Sequence, residues 1–184
     1  GLTTNGDIVY WTSNGPTLKS NLEDPPKAKD IALAGFLAFI ISDNDEVVSV
    51  GGRMSGIPEN IGKVIAIDGG YDSAAAVRMD GSLVWWIPSL LYDGLKQVIH
   101  SDDCTKIAIV GENAFALTSS GELLNWSVSY DSNSLSSKIQ GATNLVDIVA
   151  NDQSLFAKRS DGSLIEVRDG VVIQRPEFTN VAKI

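Results

Sequence analysis

Short apolar runs separated by polar, glycine-bearing turns recur along this chain at intervals of about 40 residues. The clearest copy is Val64 to Trp86: a run ending at Ile67, a Gly69-Gly70 turn, the run Ala74 to Val77, then Asp80-Gly81, and a third run, Ser82 to Trp86. Superposing the turn positions Gly6, Asp45, Gly81, Gly121 and Gly162 aligns their flanks without a gap, at spacings of 39, 36, 40 and 41 residues. Each is preceded by Asn5, Asn44, Asp80, Ser120 or Asp161, residue types whose short polar side chains bond their own backbone in a tight turn. Fourteen residues earlier stand Ile31, Ile67, Ile107 and Ile148, and the last residue, Ile184, continues the series. A single apolar run is ambiguous between helix and strand, but the units are rich in β-branched and aromatic residues and none shows a long stripe of helical period. The pattern predicts an all-β array of hairpins.

In the strand after each turn the second, third and fifth positions are apolar, so both faces are buried, as between stacked sheets. The fourth varies: Tyr10, Ser49, Trp85, Asn125, Glu166. A unit of about 40 residues cannot bury two faces alone, and radial stacking into a β-propeller covers them and shelters the sheet edges. The units lie near 1–11, 30–50, 64–86, 106–126 and 145–167, with 181–184 supplying the first strand missing from 1–11. The expectation is one β-propeller domain over 1–184, with five blades closed by pairing of N- and C-terminal strands. The alternative is a piece of a larger propeller cut in mid-blade. All six prolines fall in the connectors, consistent with their inability to donate to a sheet ladder.

At these residues the chain resembles the repeats of the regulator of chromosome condensation family, with Val64 to Trp86 the best copy and Ile31 to Gly51 and Ile107 to Trp126 close behind. The resemblance implies a β-propeller, most often of seven blades. It also implies action through protein binding at the faces or rim: guanine nucleotide exchange, chromatin docking, β-lactamase inhibition or scaffolding. The chain departs from the family after the terminal tryptophan, where Trp11 leads to Thr12-Ser13-Asn14-Gly15, Trp86 to Ile87-Pro88 and Trp126 to Ser127, and no Gly-Gln-Leu-Gly occurs. The loops that carry exchange and chromatin docking therefore have no visible counterpart, which points to a divergent, microbial or viral branch.

Charge adds to this picture. The formal charge is −9 and the fourteen Lys and Arg are scattered, so no basic stripe offers a nucleic-acid surface. Acidic residues gather at Glu23-Asp24, 43–46 and 102–103, read as solvated loops or as docking ground for a basic partner. The longest apolar run, Ile31 to Ile41, is too short to span a bilayer, and no charged-then-apolar signal segment opens the chain, so a soluble protein is expected. The compartment is not indicated, and the single cysteine, Cys104, excludes an intrachain disulfide.

No catalytic centre emerges. His100 to Cys104 places acid, base and nucleophile side by side, where they cannot converge on one atom, and there is no second histidine. Neither paired His or Cys for zinc nor a calcium loop is present, since 43–46 occupies a hairpin turn, so no cofactor or metal is expected. Asn125-Trp126-Ser127 matches a glycosylation acceptor but lies in a strand. Trp11, Trp86 and Trp126 share one repeated position and are expected in the core. Trp85, at the variable position, with Tyr10, Tyr92 and Tyr130 beside connectors, is the candidate partner contact; the competing reading covers Trp85 with the neighbouring blade. The function expected is a non-catalytic scaffold that recognises a protein through connector loops. The alternatives are a structural or receptor-binding subunit of a virion or cell-surface assembly, which strand exchange between chains would betray in light scattering, and a glycan-binding lectin, which would need similar polar and aromatic residues in each connector.

Overall fold

The computed structural model describes residues 1–12, 15–17, 27–35, 37–50, 56–88, 97–99, 103–128 and 137–184, and the side chains of these except 10–12, 15–17 and 97–99. Every regular element among the described residues is a β-strand, and all strand pairs are antiparallel. A ribbon of β1 (Tyr10–Thr12) and β2 (Gly15–Thr17) is followed by a three-stranded sheet of β3 (Ala28–Ala34), β4 (Leu37–Ser42) and β5 (Val47–Val50). Three four-stranded sheets come next: β6 (Val64–Gly69), β7 (Ala74–Arg78), β8 (Leu83–Trp86) and β9 (Gln97–Ile99); β10 (Cys104–Val110), β11 (Asn113–Thr118), β12 (Leu123–Ser127) and β13 (Ser137–Lys138); β14 (Leu145–Ala150), β15 (Leu155–Arg159), β16 (Leu164–Arg168) and β17 (Val171–Arg175). Strand order within each sheet is sequence order.

The five aligned turn positions share one geometry. Gly6, Gly81, Gly121 and Gly162 have φ between 79° and 83°, and Asp45 has φ 65°. Each donates its N–H to the carbonyl three residues back, Thr3, Ser42, Arg78, Thr118 or Arg159, at 3.0 Å. This is a three-residue hairpin loop whose last residue must be left-handed, hence glycine, or an Asp in its place. The turn also makes the seam to the next sheet. The N–H of Ala28, Val64, Leu145 and Val181 donates to the carbonyl of Gly6, Asp45, Gly121 and Gly162 respectively, at 2.9 to 3.1 Å. A Cβ on Gly121 would stand 2.9 Å from the carbonyl oxygen of Leu145, so glycine also permits the close approach.

Successive sheets pack face to face through side chains that alternate along each third strand. Trp86 points back onto the preceding sheet, edge-on to Phe39 at 5.7 Å between ring centroids, while Trp85 points forward among Ile107, Ala114 and Trp126. The apolar stacking expected from the unit pattern is thus observed, and both faces of β8 are buried. The inner strands β3, β6, β10 and β14 contact one another in that order and carry a register shift at the same place, before Asp30, Ala66, Lys106 and Asp147.

Two expectations need revision. The connectors are not all loop, because β2, β9, β13 and β17 add a further strand inside four of them. Pro16 lies in β2, one strand of a two-stranded sheet, and so at a sheet edge, where proline is tolerated. Residues 181–184 form no strand; Val181 repeats the seam bond to Gly162, and Lys158 Nζ donates to the Ala182 carbonyl at 2.9 Å. Pairing of these residues with the first strands is not among the hydrogen bonds of the described residues.

Candidate binding face

Because every sheet runs in the same sense, the turns between first and second strands all emerge at one end, around the axis. Their described residues are Gly35, 70–73, 111–112 and 151–154. They adjoin one another: Gly35 N–H donates to the Gly70 carbonyl at 3.1 Å, and a Cβ on Gly70 would lie 2.8 Å from Ile109 and 3.4 Å from the Gly111 carbonyl. A Cβ on Gly69 would stand 2.1 Å from the Leu33 carbonyl oxygen, and beside this backbone approach two large apolar side chains stand in solvent, Leu33 at 65% exposure and Tyr71 at 83%.

The same turns are acidic. They carry Asp72, Glu112 and Asp152, all exposed, and no Lys or Arg. None of the three is ion-paired among the described residues. At the opposite end Lys27 pairs with Asp7, Lys29 with Asp45 at 2.6 Å and Lys138 with Glu122 at 2.8 Å, while Asp43, Glu46, Asp80 and Asp161 carry no ion pair among the described residues. Between the last two sheets the turn face opens into a groove of about 630 Å³ with Phe115, Val110 and Val167 on its apolar lining and Glu112, Asp152 and Asp169 among its polar groups. Arg168 also lines the groove, but its guanidinium is committed to Glu166 and to Ser154 Oγ at 3.1 Å.

Glu166 lies beside this groove, fully buried, and accepts from Ser154 Oγ at 2.6 Å and from the guanidiniums of Arg175 and Arg168. The Ser154 hydroxyl and then Arg175, with Arg168 adding to them, hold its carboxyl down at about 2.

On the axis the inner strands line a second, open cavity of about 400 Å³, bearing Asp30, Asp68, Lys106 and Asp147. Lys106 pairs with Asp147. Asp30 accepts from the Ile31 N–H at 2.9 Å, and Asp68 accepts from the Ile109 N–H of the next inner strand at 2.7 Å. Burial pushes both carboxyls up, and the Asp30 charge pushes Asp68 further. Among the described residues no cluster of His, Cys, Asp and Glu could hold a metal ion.

Solved structures share this architecture. Human WBSCR16 superposes with a TM-score of 0.64 at 13% identity, over 100% of this chain and 58% of its own. Yeast RCC1 (Prp20), bound to Kap60, gives 0.66 at 13% identity, over 99% and 57%. The fold is that of the RCC1-like β-propellers. YCF48 bound to a D1 peptide is similar too, with a TM-score of 0.56 at 14% identity, over 85% of this chain and 55% of that one. The chain spans less than two thirds of each of these propellers. No protein-family model matches it, and no curated protein does.

On the propeller the residues named from sequence do not form one site. Trp85 is 1% exposed, inside the core between two sheets, so it offers no contact surface; the reading in which the neighbouring sheet covers it describes the structure. The side chain of Tyr10, and Tyr92, Tyr130 and His100 entirely, lie outside the described residues. Val128, the last described residue before the segment that carries Tyr130, donates its N–H to the Glu112 carbonyl at 2.8 Å. Cys104 is buried, and Asn125, half-buried in β12, accepts from Ser137 Oγ at 2.7 Å. The stretch 43–46 is the β4–β5 turn. Sequence reading passed over Leu33 and Tyr71; an aromatic beside Gly69-Gly70 in the clearest repeat was the available signal. No helix among the described residues is long and apolar enough to cross a membrane.

Proposed function

We propose that this chain is a non-catalytic binding propeller whose turn face docks a protein partner. The observation that carries the reading is the exposure of two large apolar side chains at the turn end, Leu33 near the end of β3 and Tyr71 in the β6–β7 turn, beside the hydrogen bond from Gly35 to Gly70. Large side chains whose position is fixed before binding lose little entropy on contact, and tyrosine is enriched among residues that dominate interfaces. Two of the similar propellers are described with proteins or peptides bound, Prp20 with Kap60 and YCF48 with a D1 peptide.

The test is affinity capture from the source organism with wild type, with Leu33→Ser/Tyr71→Ser, and with Lys138→Ala at the opposite end. All three sites are exposed, so the melting temperatures should agree. The expected result is a partner retained by wild type and Lys138→Ala and depleted with the double variant. Identical captured sets for all three baits would reject the reading.

A further inference from the structure

We infer that the partner presents a basic segment, and that a Lys or Arg side chain of it enters the groove between the last two sheets. The inference rests on the docking role proposed for the turn face and adds the chemistry of what docks.

Three features point the same way. The first is the charge of the turn end: its turns carry Asp72, Glu112 and Asp152, none of them ion-paired among the described residues, and no Lys or Arg. On a chain of net charge −9 these unmatched carboxylates repel one another and draw cations to this end. The second is the build of the groove. Phe115, Val110 and Val167 offer an apolar wall, and Glu112, Asp152 and Asp169 supply carboxylates. Long basic side chains have the matching form, an apolar stem with a charged head. The third is the state of Arg168. Its guanidinium is turned to the buried Glu166 and to Ser154, so the one cation among the described lining residues pairs with none of Glu112, Asp152 and Asp169. Leu33 and Tyr71, beyond the adjoining Gly70 and Gly111, then supply apolar contacts to flanking residues of the same segment.

An acidic or neutral segment fails on the same grounds: it would bring like charge to unpaired carboxylates, or desolvate them without a partner.

The experiment selects random short peptides displayed on phage against the whole chain, then measures each clone on wild type, on Glu112→Gln/Asp152→Asn/Asp169→Asn, and on Tyr71→Ser. The expected clones are enriched in Lys and Arg, weaken by about tenfold or more on the triple variant, and weaken with added salt. Clones without an excess of basic residues, clones that bind the triple variant as they bind wild type, or no clones at all would overturn the inference. Clones that are not basic yet lose binding to Tyr71→Ser would overturn it while leaving the docking face standing. Clones indifferent to every variant would overturn both.

Discussion

Trp85 and Glu166 occupy the same position of the repeat, the one whose residue type varies most, and both are fully buried. At these two residues the type reflects what the sheet meets in front of it, while Ser49 and Asn125 at the same position are half-buried. A pattern of residue types cannot separate these two settings, which is why Trp85 read as a contact. Trp85→Ala should therefore act on stability, by about 3–5 kcal/mol as for other buried aromatic truncations, with the loss read in urea denaturation. A variant as stable as wild type would restore Trp85 as a surface residue. Glu166 makes a prediction in pH. Its carboxyl is held at about 2 in the folded chain against 4.5 for the ordinary group. A depressed carboxyl stabilises the fold above its unfolded value, and that contribution is lost as pH falls through the folded one. The stability gap between wild type and Glu166→Gln should be widest above about pH 5 and close between pH 4.5 and 2. Thermal melts across that range check it, and a gap indifferent to pH would exclude the charged network as its source.

Hairpins were legible because local chemistry decides them. The Asn/Asp/Ser-then-Gly pair marks a loop that needs one left-handed residue, and the alternation around it fixes register. The fourth strands were not legible: β13 is two residues long and β9 three, and both lie in polar connectors where pairing to the adjacent strand, not local propensity, makes them strands. The seam role of the turns was hidden for a related reason, since a close approach between units leaves only a glycine in the sequence. Two glycines separate the contributions. Gly111, at φ 57°, has open space where a Cβ would go, whereas at Gly121, φ 79°, a Cβ would press on the Leu145 backbone. Gly111→Ala should cost about 1 kcal/mol, the strain of a left-handed alanine, and Gly121→Ala about 1–2 kcal/mol more in urea melts. Equal costs would mean that the seam yields freely.

At the scale of the molecule, repeat length and pattern carried the propeller, but not what its axis holds. Asp30, Lys106 and Asp147 follow the register shifts of three inner strands, and Asp68 sits one strand over; in sequence they are ordinary charged residues far apart, and only radial packing gathers them. The cavity thus sets three carboxylates against one lysine. Lys106 pairs with Asp147 and also lowers the carboxyl of Asp30, against the larger upward push of burial. Replacing it by methionine keeps the stem and removes the charge, leaving three carboxylates facing one another. Lys106→Met should lose about 1 kcal/mol near neutral pH, a modest figure because the pair is partly exposed. The pH sign follows from the raised carboxyls. A group that holds its proton more tightly when folded gains stability as pH falls through its folded value, so protonation of Asp30 and Asp68 relieves the repulsion. The deficit should therefore shrink steadily on acidification, read as converging melting temperatures of variant and wild type. A deficit constant with pH would assign it to lost packing of the lysine stem, and the axial carboxylates would then be electrostatically independent of one another.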